Sequence, residues 1–319
     1  MKEIIASFVP SYDLDKDLRI LHSISKSGCT SVRVNFSRIP YCAWQTTSEY
    51  LIKLQEIFFI PLLADVPFPG EKTRIVTDSK ITITANEKFI LPWIYRSDIP
   101  MWVSGAMPDY PSVSELIYGE REAKITLEER IDDNAFFAVA DRSFQFKNGR
   151  SLTFENSIID NASNICFLQQ LLADLKPAGV ICSFVETAEQ IEQFRKIVHG
   201  HKTELIAKIE TATGINNLKT ICPLTDMLLF GRGDLCLRYD ESNLKNVLSQ
   251  AMNIAREQKK SFVVGSHIMK NSKHGNISDS DVQDLRFVSE HNADGVMLTF
   301  DLVSDEKFTD IMNFIITNF

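Results

Sequence analysis

Lys208 and Glu210, in the apolar run Leu205-Ile206-Ala207-Lys208-Ile209-Glu210, set an ammonium and a carboxylate two residues apart. Residues i and i+2 of a strand share a face, so both point one way while Ile209 points the other. Further on, Gly231-Arg232-Gly233-Asp234-Leu235 closes a second apolar run and supplies another carboxylate. Two carboxylates can share Mg²⁺ or Mn²⁺, and a neighbouring lysine can neutralise a bound phosphate or enolate. The same residues could also be a plain Lys–Glu ion pair at a sheet edge, because structural ion pairs imitate sites.

Such groups need elements that hold several strand ends side by side. Strand-like runs occur at Ile4–Val9, Val32–Phe36, Phe59–Ala64, Gly179–Phe184, Leu205–Ile209, Met227–Phe230, Phe262–Gly265 and Gly295–Leu298. Helical periodicity at Leu14–Ser25, Asn164–Asp174, Ala188–Val198, Gly214–Ile221, Asn243–Gln258, Ser278–Glu290 and Glu306–Ile315 separates or follows them. Eight βα units predict an α/β chain folded as a (β/α)8 TIM barrel, with functional groups at the C-terminal ends of its strands. A doubly wound open sheet fits the alternation too, but gives no reason for charges at so many strand ends.

Between about Ile75 and Leu152 the rhythm changes to short alternating segments such as Lys80-Ile81-Thr82-Ile83-Thr84 and Phe136-Phe137-Ala138-Val139-Ala140. Pro92, Pro100, Pro108, Pro111 and the turn Lys147-Asn148-Gly149 punctuate it. The pattern predicts a small β-rich domain over 75–152, inserted after the third strand, with the barrel formed by 1–74 and 153–319. Phe136, Phe137, Phe144 and Phe146 are expected to fill its core.

Composition narrows the classes. The 319 residues are 44% hydrophobic and 24% charged, enough for a large core and too apolar for disorder. A net charge of −8 argues against nucleic acid as a main partner, since phosphate backbones need basic patches. No stretch approaches the roughly 18 apolar residues of a membrane span. The opening Met1-Lys2-Glu3-Ile4-Ile5 does not read as a signal peptide. Cys29, Cys42, Cys166, Cys182, Cys222 and Cys236 form no CxxC pair and read as buried free thiols rather than disulfides or zinc ligands. A cytoplasmic protein is the simplest expectation.

These segments resemble pyruvate kinase. The resemblance rests on Ala6-Ser7-Phe8-Val9-Pro10, Val32-Arg33-Val34-Asn35-Phe36-Ser37, Ala64-Asp65, Ala207-Lys208-Ile209-Glu210, Gly231-Arg232-Gly233-Asp234-Leu235 and Gly295-Val296-Met297-Leu298, in the family's order. It extends over nearly the whole chain as a barrel interrupted by a lid domain, and the family's C-terminal domain has no counterpart, which leaves assembly into a homo-oligomer open. The resemblance implies phosphoryl transfer between phosphoenolpyruvate and ADP with Mg²⁺ or Mn²⁺. It makes Lys208 the residue on the transferring phosphoryl group and the enolate, and Arg33 the arginine that reaches the phosphate. Glu210 and Asp234 become the divalent-metal ligands. Gly233 and the Asp234 amide would hold the substrate carboxylate, as N–H groups at a helix start can. Ser266 takes the place of a substrate-binding threonine, Arg74 that of the arginine before the lid, and Arg232 and His267 flank these positions. The family's monovalent cation would fall to Asn35, Ser37 and Asp65.

Departures concentrate on the nucleotide side. The family's Thr-Ile-Gly-Pro is Ser7-Phe8-Val9-Pro10 here, so glycine's close backbone approach is lost. Val66 stands where a threonine would help bind K⁺, which puts that ion in doubt, and Arg38 replaces a histidine near the nucleotide. Gly265-Ser266-His267-Ile268 replaces Ala-Thr-Gln-Met, and no Asp-Gly pair is found around Tyr118-Gly119-Glu120. The expectation is therefore a metal-dependent enzyme on phosphoenolpyruvate or pyruvate with a changed acceptor, a nucleotide being one option. Alternatives are a lyase or aldolase working through a pyruvate enolate, with His267 moving a proton, and a non-catalytic metabolite-binding paralogue. His199 and His201 read as a loop or helix-end feature, Lys147 equally as a lid lysine or a solvated one, and Cys236 as packing rather than an activated thiolate. Lys208→Met is expected to abolish turnover and to cost only a few degrees of melting temperature.

Overall fold

The computed structural model describes residues 2–319 apart from 37–38, 40–42, 70–72, 105–106, 108–109, 120–121, 154–160, 237–238 and 273. The chain divides into two compact units, Met1–Pro69 with Ala162–Phe319, and Gly70–Asn161. In the first, eight parallel strands close into a barrel: β1 (Glu3–Phe8), β2 (Ser31–Asn35), β3 (Leu62–Pro69), β4 (Gly179–Ser183), β5 (Glu204–Ile209), β6 (Met227–Gly231), β7 (Ser261–Gly265) and β8 (Gly295–Leu298). Each strand pairs with its sequence neighbours, and β8 closes the ring on β1 through Glu3↔Gly295 and Ala6↔Leu298. A closed ring rules out the open doubly wound sheet.

The helices are α1 (Leu14–Lys26), α2 (Trp44–Ile57), α3 (Asn161–Asp174), α4 (Ala188–Val198), α5 (Ala212–Asn216), α6 (Leu218–Ile221), α7 (Arg232–Leu235), α8 (Glu241–Glu257), α9 (Asp279–Glu290), α10 (Phe300–Val303) and α11 (Phe308–Asn318). The stretch expected as one helix over Gly214–Ile221 is two, because Asn217 ends α5 and begins α6. Helix α2, which the periodicity did not single out, fills the gap before β3. Local chemistry sets several ends: Thr187 and Gln190 form a capping box at α4, and Asp13 caps α1 by accepting from Lys16 N–H. His199 is the C-cap of α4, a helix-end position.

Period-2 alternation along the barrel strands decides where the site lies. Ile5, Leu63, Ile181, Ile206, Leu229, Val263 and Met297 meet inside the barrel as a buried apolar layer. Residues between them, such as Ala6, Ala64, Cys182, Ala207, Ile209 and Val264, face the helices in a separate core. Two residues beyond the inner layer, the same face carries Ser7, Asp65, Ser183, Lys208, Gly231 and Gly265. The strand interior thus changes from apolar filling to polar groups at its C-terminal end, as a TIM barrel requires.

The second unit is an antiparallel seven-stranded sheet in the order Lys88–Pro92, Ala135–Ala140, Ala123–Asp132, Glu115–Tyr118, Ser151–Thr153, Thr73–Thr77, Met101–Ser104, with Phe144–Phe146 paired to Ile81–Ile83. Its core holds Phe136 and Phe146, with Phe144 packed at the edge. Phe137 departs from the expectation. It alternates to the other face, where Lys88 Nζ lies 5.1 Å from its ring centroid.

Candidate active site

Three strands converge their charged side chains at the barrel's C-terminal end. Arg33 from β2 donates through Nε to Asp65 Oδ2 at 2.8 Å, also reaches that oxygen through Nη2, and donates through Nη1 to Ser7 Oγ at 3.2 Å. Asp65 from β3 is fully buried, and its Oδ1 accepts from Ser183 Oγ at 2.8 Å. Lys208 from β5 places Nζ 2.9 Å from Glu210 Oε1, 3.4 Å from Asp65 Oδ2 and 3.4 Å from Ser183 Oγ. Glu210, 2% exposed, accepts at Oε2 from the Phe184 backbone N–H at 3.2 Å. Lys208 and Glu210 share one face and Ile209 lies in the opposite core. The pair sits at the centre of a network rather than at a sheet edge, so the plain edge ion pair is set aside.

Electrostatics fixes the protonation of this group. Burial opposes the charge on Lys208, but Asp65 and Glu210 more than offset it, with Asp234 adding to them, and its pKa lies above that of an ordinary lysine. Burial likewise pushes Asp65 up, while Arg33 and Lys208 together draw it below the usual carboxylate range. The ammonium is therefore held charged where an ordinary buried lysine would tend to lose its proton. It can stabilise an anion and is poorly suited to act as a base.

Close backbone approaches explain two glycines. A Cβ on Gly231 would lie 2.6 Å from Glu210 Cγ and 3.1 Å from its Oε1, so only hydrogen leaves room for that carboxylate. A Cβ on Gly233 would lie 2.9 Å from Ser266 Oγ and 3.4 Å from His267 Nε2. The β6 loop and the β7 loop thus meet at Gly233, bringing Gly233, Ser266 and His267 together next to Asp234. His267 has φ +68° and Phe184 φ +55°, left-handed values that sidechain-bearing residues adopt at a cost, and both flank the charged group.

The remaining expected residues distribute as follows. Asn35 stands opposite Asp65 in the β2–β3 register, Ser37 and Arg38 lie outside the described residues, and Val66 is buried and apolar. Arg232 turns its Nη2 to Asp284 on α9 at 2.6 Å. Arg74 belongs to the second unit, where Nη1 donates to the Gly149 carbonyl at 2.7 Å. Lys147 is largely exposed and pairs with Glu122 at 3.4 Å. Cys236 packs against the core with Sγ donating to Gly233 O at 3.0 Å; Cys29, Cys182 and Cys222 are buried thiols, Cys166 is exposed, and Cys42 lies outside the described residues. Burial pushes the Cys222 thiol up to about 11. Sequence reasoning passed over Ser183, the polar last residue of the apolar run Gly179-Val180-Ile181-Cys182-Ser183, although that position was its signal. It also passed over Asp281 and Asp284.

As a metal site the donor set is two carboxylates, and among the described residues no three His, Cys, Asp or Glu cluster as a complete cage. Oxygen-only donors of this number suit Mg²⁺ or Mn²⁺, which keep water ligands and take the rest from one or two carboxylates and a substrate. Glu210 and Asp234 are the two carboxylates that could hold such an ion, with Glu210 Oε1 shared with Lys208 and Oε2 with the Phe184 N–H. For a monovalent ion the fit is poorer, since both oxygens of Asp65 already face Arg33, Ser183 and Lys208.

Residues 176–301 match the family described as pyruvate kinase, barrel domain. Over that stretch this chain is similar to the barrel of pyruvate kinases. Curated pyruvate kinases align over most of this chain. That of Mycoplasma genitalium is 24% identical over 309 residues, 89% of this chain and 60% of its own length. That of Trypanoplasma borreli is 23% identical over 314 residues, 93% and 61% respectively. The pyruvate kinase of Chlamydia pneumoniae is 25% identical over 257 residues, 75% and 51%. The chain spans about 60% of the length of the first two. The matched stretch runs from the start of β4 past β8 and contains Ser183, Lys208, Glu210, Gly233, Asp234, Ser266 and His267. Among the described residues no helix is long and apolar enough to cross a membrane.

Proposed function

We propose that this chain is a pyruvate kinase-like, divalent-metal-dependent phosphotransferase acting on phosphoenolpyruvate or pyruvate, with a divergent acceptor site. The observation that carries the reading is the buried, charge-balanced group Arg33–Asp65–Lys208–Glu210 at the strand ends, with Asp234 beside it. Phosphoryl transfer needs positioning and charge neutralisation more than covalent help, and this inventory supplies both.

Glu210 and Asp234 would hold Mg²⁺ or Mn²⁺, whose chemistry there is neutralisation of carboxylate and phosphoryl oxygens. Gly233 and Asp234 amides with the Ser266 hydroxyl would orient the substrate carboxylate, and Arg33 would take the phosphoryl oxygens. As the P–O bond of phosphoenolpyruvate breaks, the enolate oxygen keeps the electron pair and Lys208 Nζ–H stabilises it. The phosphorus forms its new bond to the acceptor oxygen, and a proton added at the methylene carbon completes pyruvate. Arg232 and His267 stand as further substrate contacts in this reading. Asn35, Ser37 and Asp65 would form the monovalent site, and the engagement of Asp65 with Arg33 and Lys208 argues against strong K⁺ dependence. The reading carries a cytoplasmic setting, where the five described free thiols stay reduced.

A lyase reading is favoured by one observation, the His267 ring beside Gly233 and Ser266, where an imidazole could move a proton on an enolate without phosphoryl transfer. Glu210→Gln tests the metal assignment common to both. Thermal stabilisation by Mn²⁺ plus phosphoenolpyruvate should be lost in that variant, and an unchanged response would remove Glu210 from the metal site.

A further inference from the structure

Helix α9 aims two carboxylates at the loops that build the site. Asp281 and Asp284 stand at i and i+3, on neighbouring positions of one face. Asp281 is 1% exposed, and its Oδ2 accepts from Asn271 N–H at 2.8 Å and from Ser272 Oγ at 2.8 Å. Ser272, also buried, accepts in turn from Ser278 N–H at 3.1 Å. These bonds tie the stretch following Ser266 and His267 back onto α9. One turn further, Asp284 Oδ2 receives Arg232 Nη2 from α7 at 2.6 Å, while Arg232 Nη1 is buried with no hydrogen-bond partner among the described residues. The loops held in this way are the two that meet at Gly233.

We propose that Asp281 and Asp284 are positioning residues, and that α9 sets the spacing between the Gly233–Asp234 amides and the Ser266 hydroxyl. Among the described residues neither loop pairs with a strand beyond its own strand end, and these side chains anchor both loops to α9. Carboxylates accepting N–H and O–H bonds away from water are the strong kind of anchor. The identity of what the pocket holds rests on the proposed function; the clamp itself does not.

The test compares Asp281→Asn and Asp284→Asn with Asp279→Asn, which removes the same charge from the exposed first turn of the same helix. Hydrogen exchange is followed in peptides covering 266–278 and 231–236, and phosphoenolpyruvate binding with Mg²⁺ is followed by calorimetry. Each clamp variant should speed exchange in its own loop and weaken binding by about tenfold, with kcat falling roughly 10- to 100-fold, the cost of ångström-scale misplacement. Asp279→Asn should match the wild type in all three. If Asp281→Asn does not fold, Ser272→Ala leaves the carboxylate in place and should still loosen 266–278. Clamp variants indistinguishable from Asp279→Asn in exchange and affinity would overturn the proposal. A wild type that binds no phosphoenolpyruvate would instead sink the functional reading, and the exchange comparison would still decide the clamp.

Discussion

Replacing Lys208 with methionine removes one of the two cations from a group whose carboxylates cannot reach water. Lys208 is 7% exposed, and its Nζ sits 2.9 Å from Glu210 and 3.4 Å from Asp65. In the variant Asp65 keeps Arg33 and Ser183, whereas Glu210 keeps the Phe184 N–H but loses the cation at 2.9 Å. Removing one partner of a buried pair costs about 3–5 kcal/mol; the low end, about 3 kcal/mol, applies because Glu210 retains a donor and can take up a proton. At somewhat less than 2–4 °C per kcal/mol for a chain of this size, the melting temperature should fall by roughly 5–10 °C in metal-free buffer. The sequence alone predicts a cost of only a few degrees; burial of the pair raises the expected cost. The assay is calorimetric melting of Lys208→Met, Glu210→Gln and the double variant in chelator, alongside turnover. Losing both charges should recover part of the cost, with a coupling of about 1–3 kcal/mol. A single variant melting with the wild type, or a double variant whose loss is the sum of the singles, would refute the reasoning.

Gly231→Ala keeps an allowed backbone, since φ is −86°, but drives Cβ to 2.6 Å from Glu210 Cγ. It should cost about 1–3 kcal/mol from overpacking and weaken Mn²⁺ binding in a paramagnetic titration; wild-type Mn²⁺ affinity would contradict the packing argument. Acid should also expose the network. The folded pKa of Asp65 lies below its unfolded value of about 3.9, so between the two the unfolded chain binds more protons and stability rises with pH. Its contribution is present above that unfolded value and is lost as pH falls through the folded one. Urea unfolding from neutral to acid should therefore show a steeper loss for the wild type than for Asp65→Asn, and parallel slopes would count against the assignment.

Most of the barrel was legible because its signal is local. Eight apolar runs with intervening amphipathic segments announce eight βα units, and the i, i+2 placement of Lys208 and Glu210 follows from strand geometry alone. The role of Asp65 was harder to read. Its engagement with Arg33, Ser183 and Lys208 depends on β2, β3, β4 and β5 being neighbours, which no window along the chain reveals. Ser183 looked like the end of a strand until the closed ring put it between two charged residues. Asp281 and Asp284 read as ordinary acidic residues near a helix start, and only the approach of the β6 and β7 loops at Gly233 gives them a task. Phe137 failed for a local reason, since a run of two phenylalanines must place them on opposite faces of a strand.

The central claim is that the Lys208 cluster transfers a phosphoryl group from phosphoenolpyruvate. A phosphorus NMR time course with phosphoenolpyruvate and Mg²⁺, run with and without ADP, reads it most directly. Decay of the phosphoenolpyruvate signal, lost in Lys208→Met and accompanied by a new phosphoryl ester or anhydride resonance, is the predicted result; ATP as that product would identify ADP as the acceptor. A phosphoenolpyruvate signal that persists in the wild type under every acceptor tried, or that decays equally in Lys208→Met, would contradict the account.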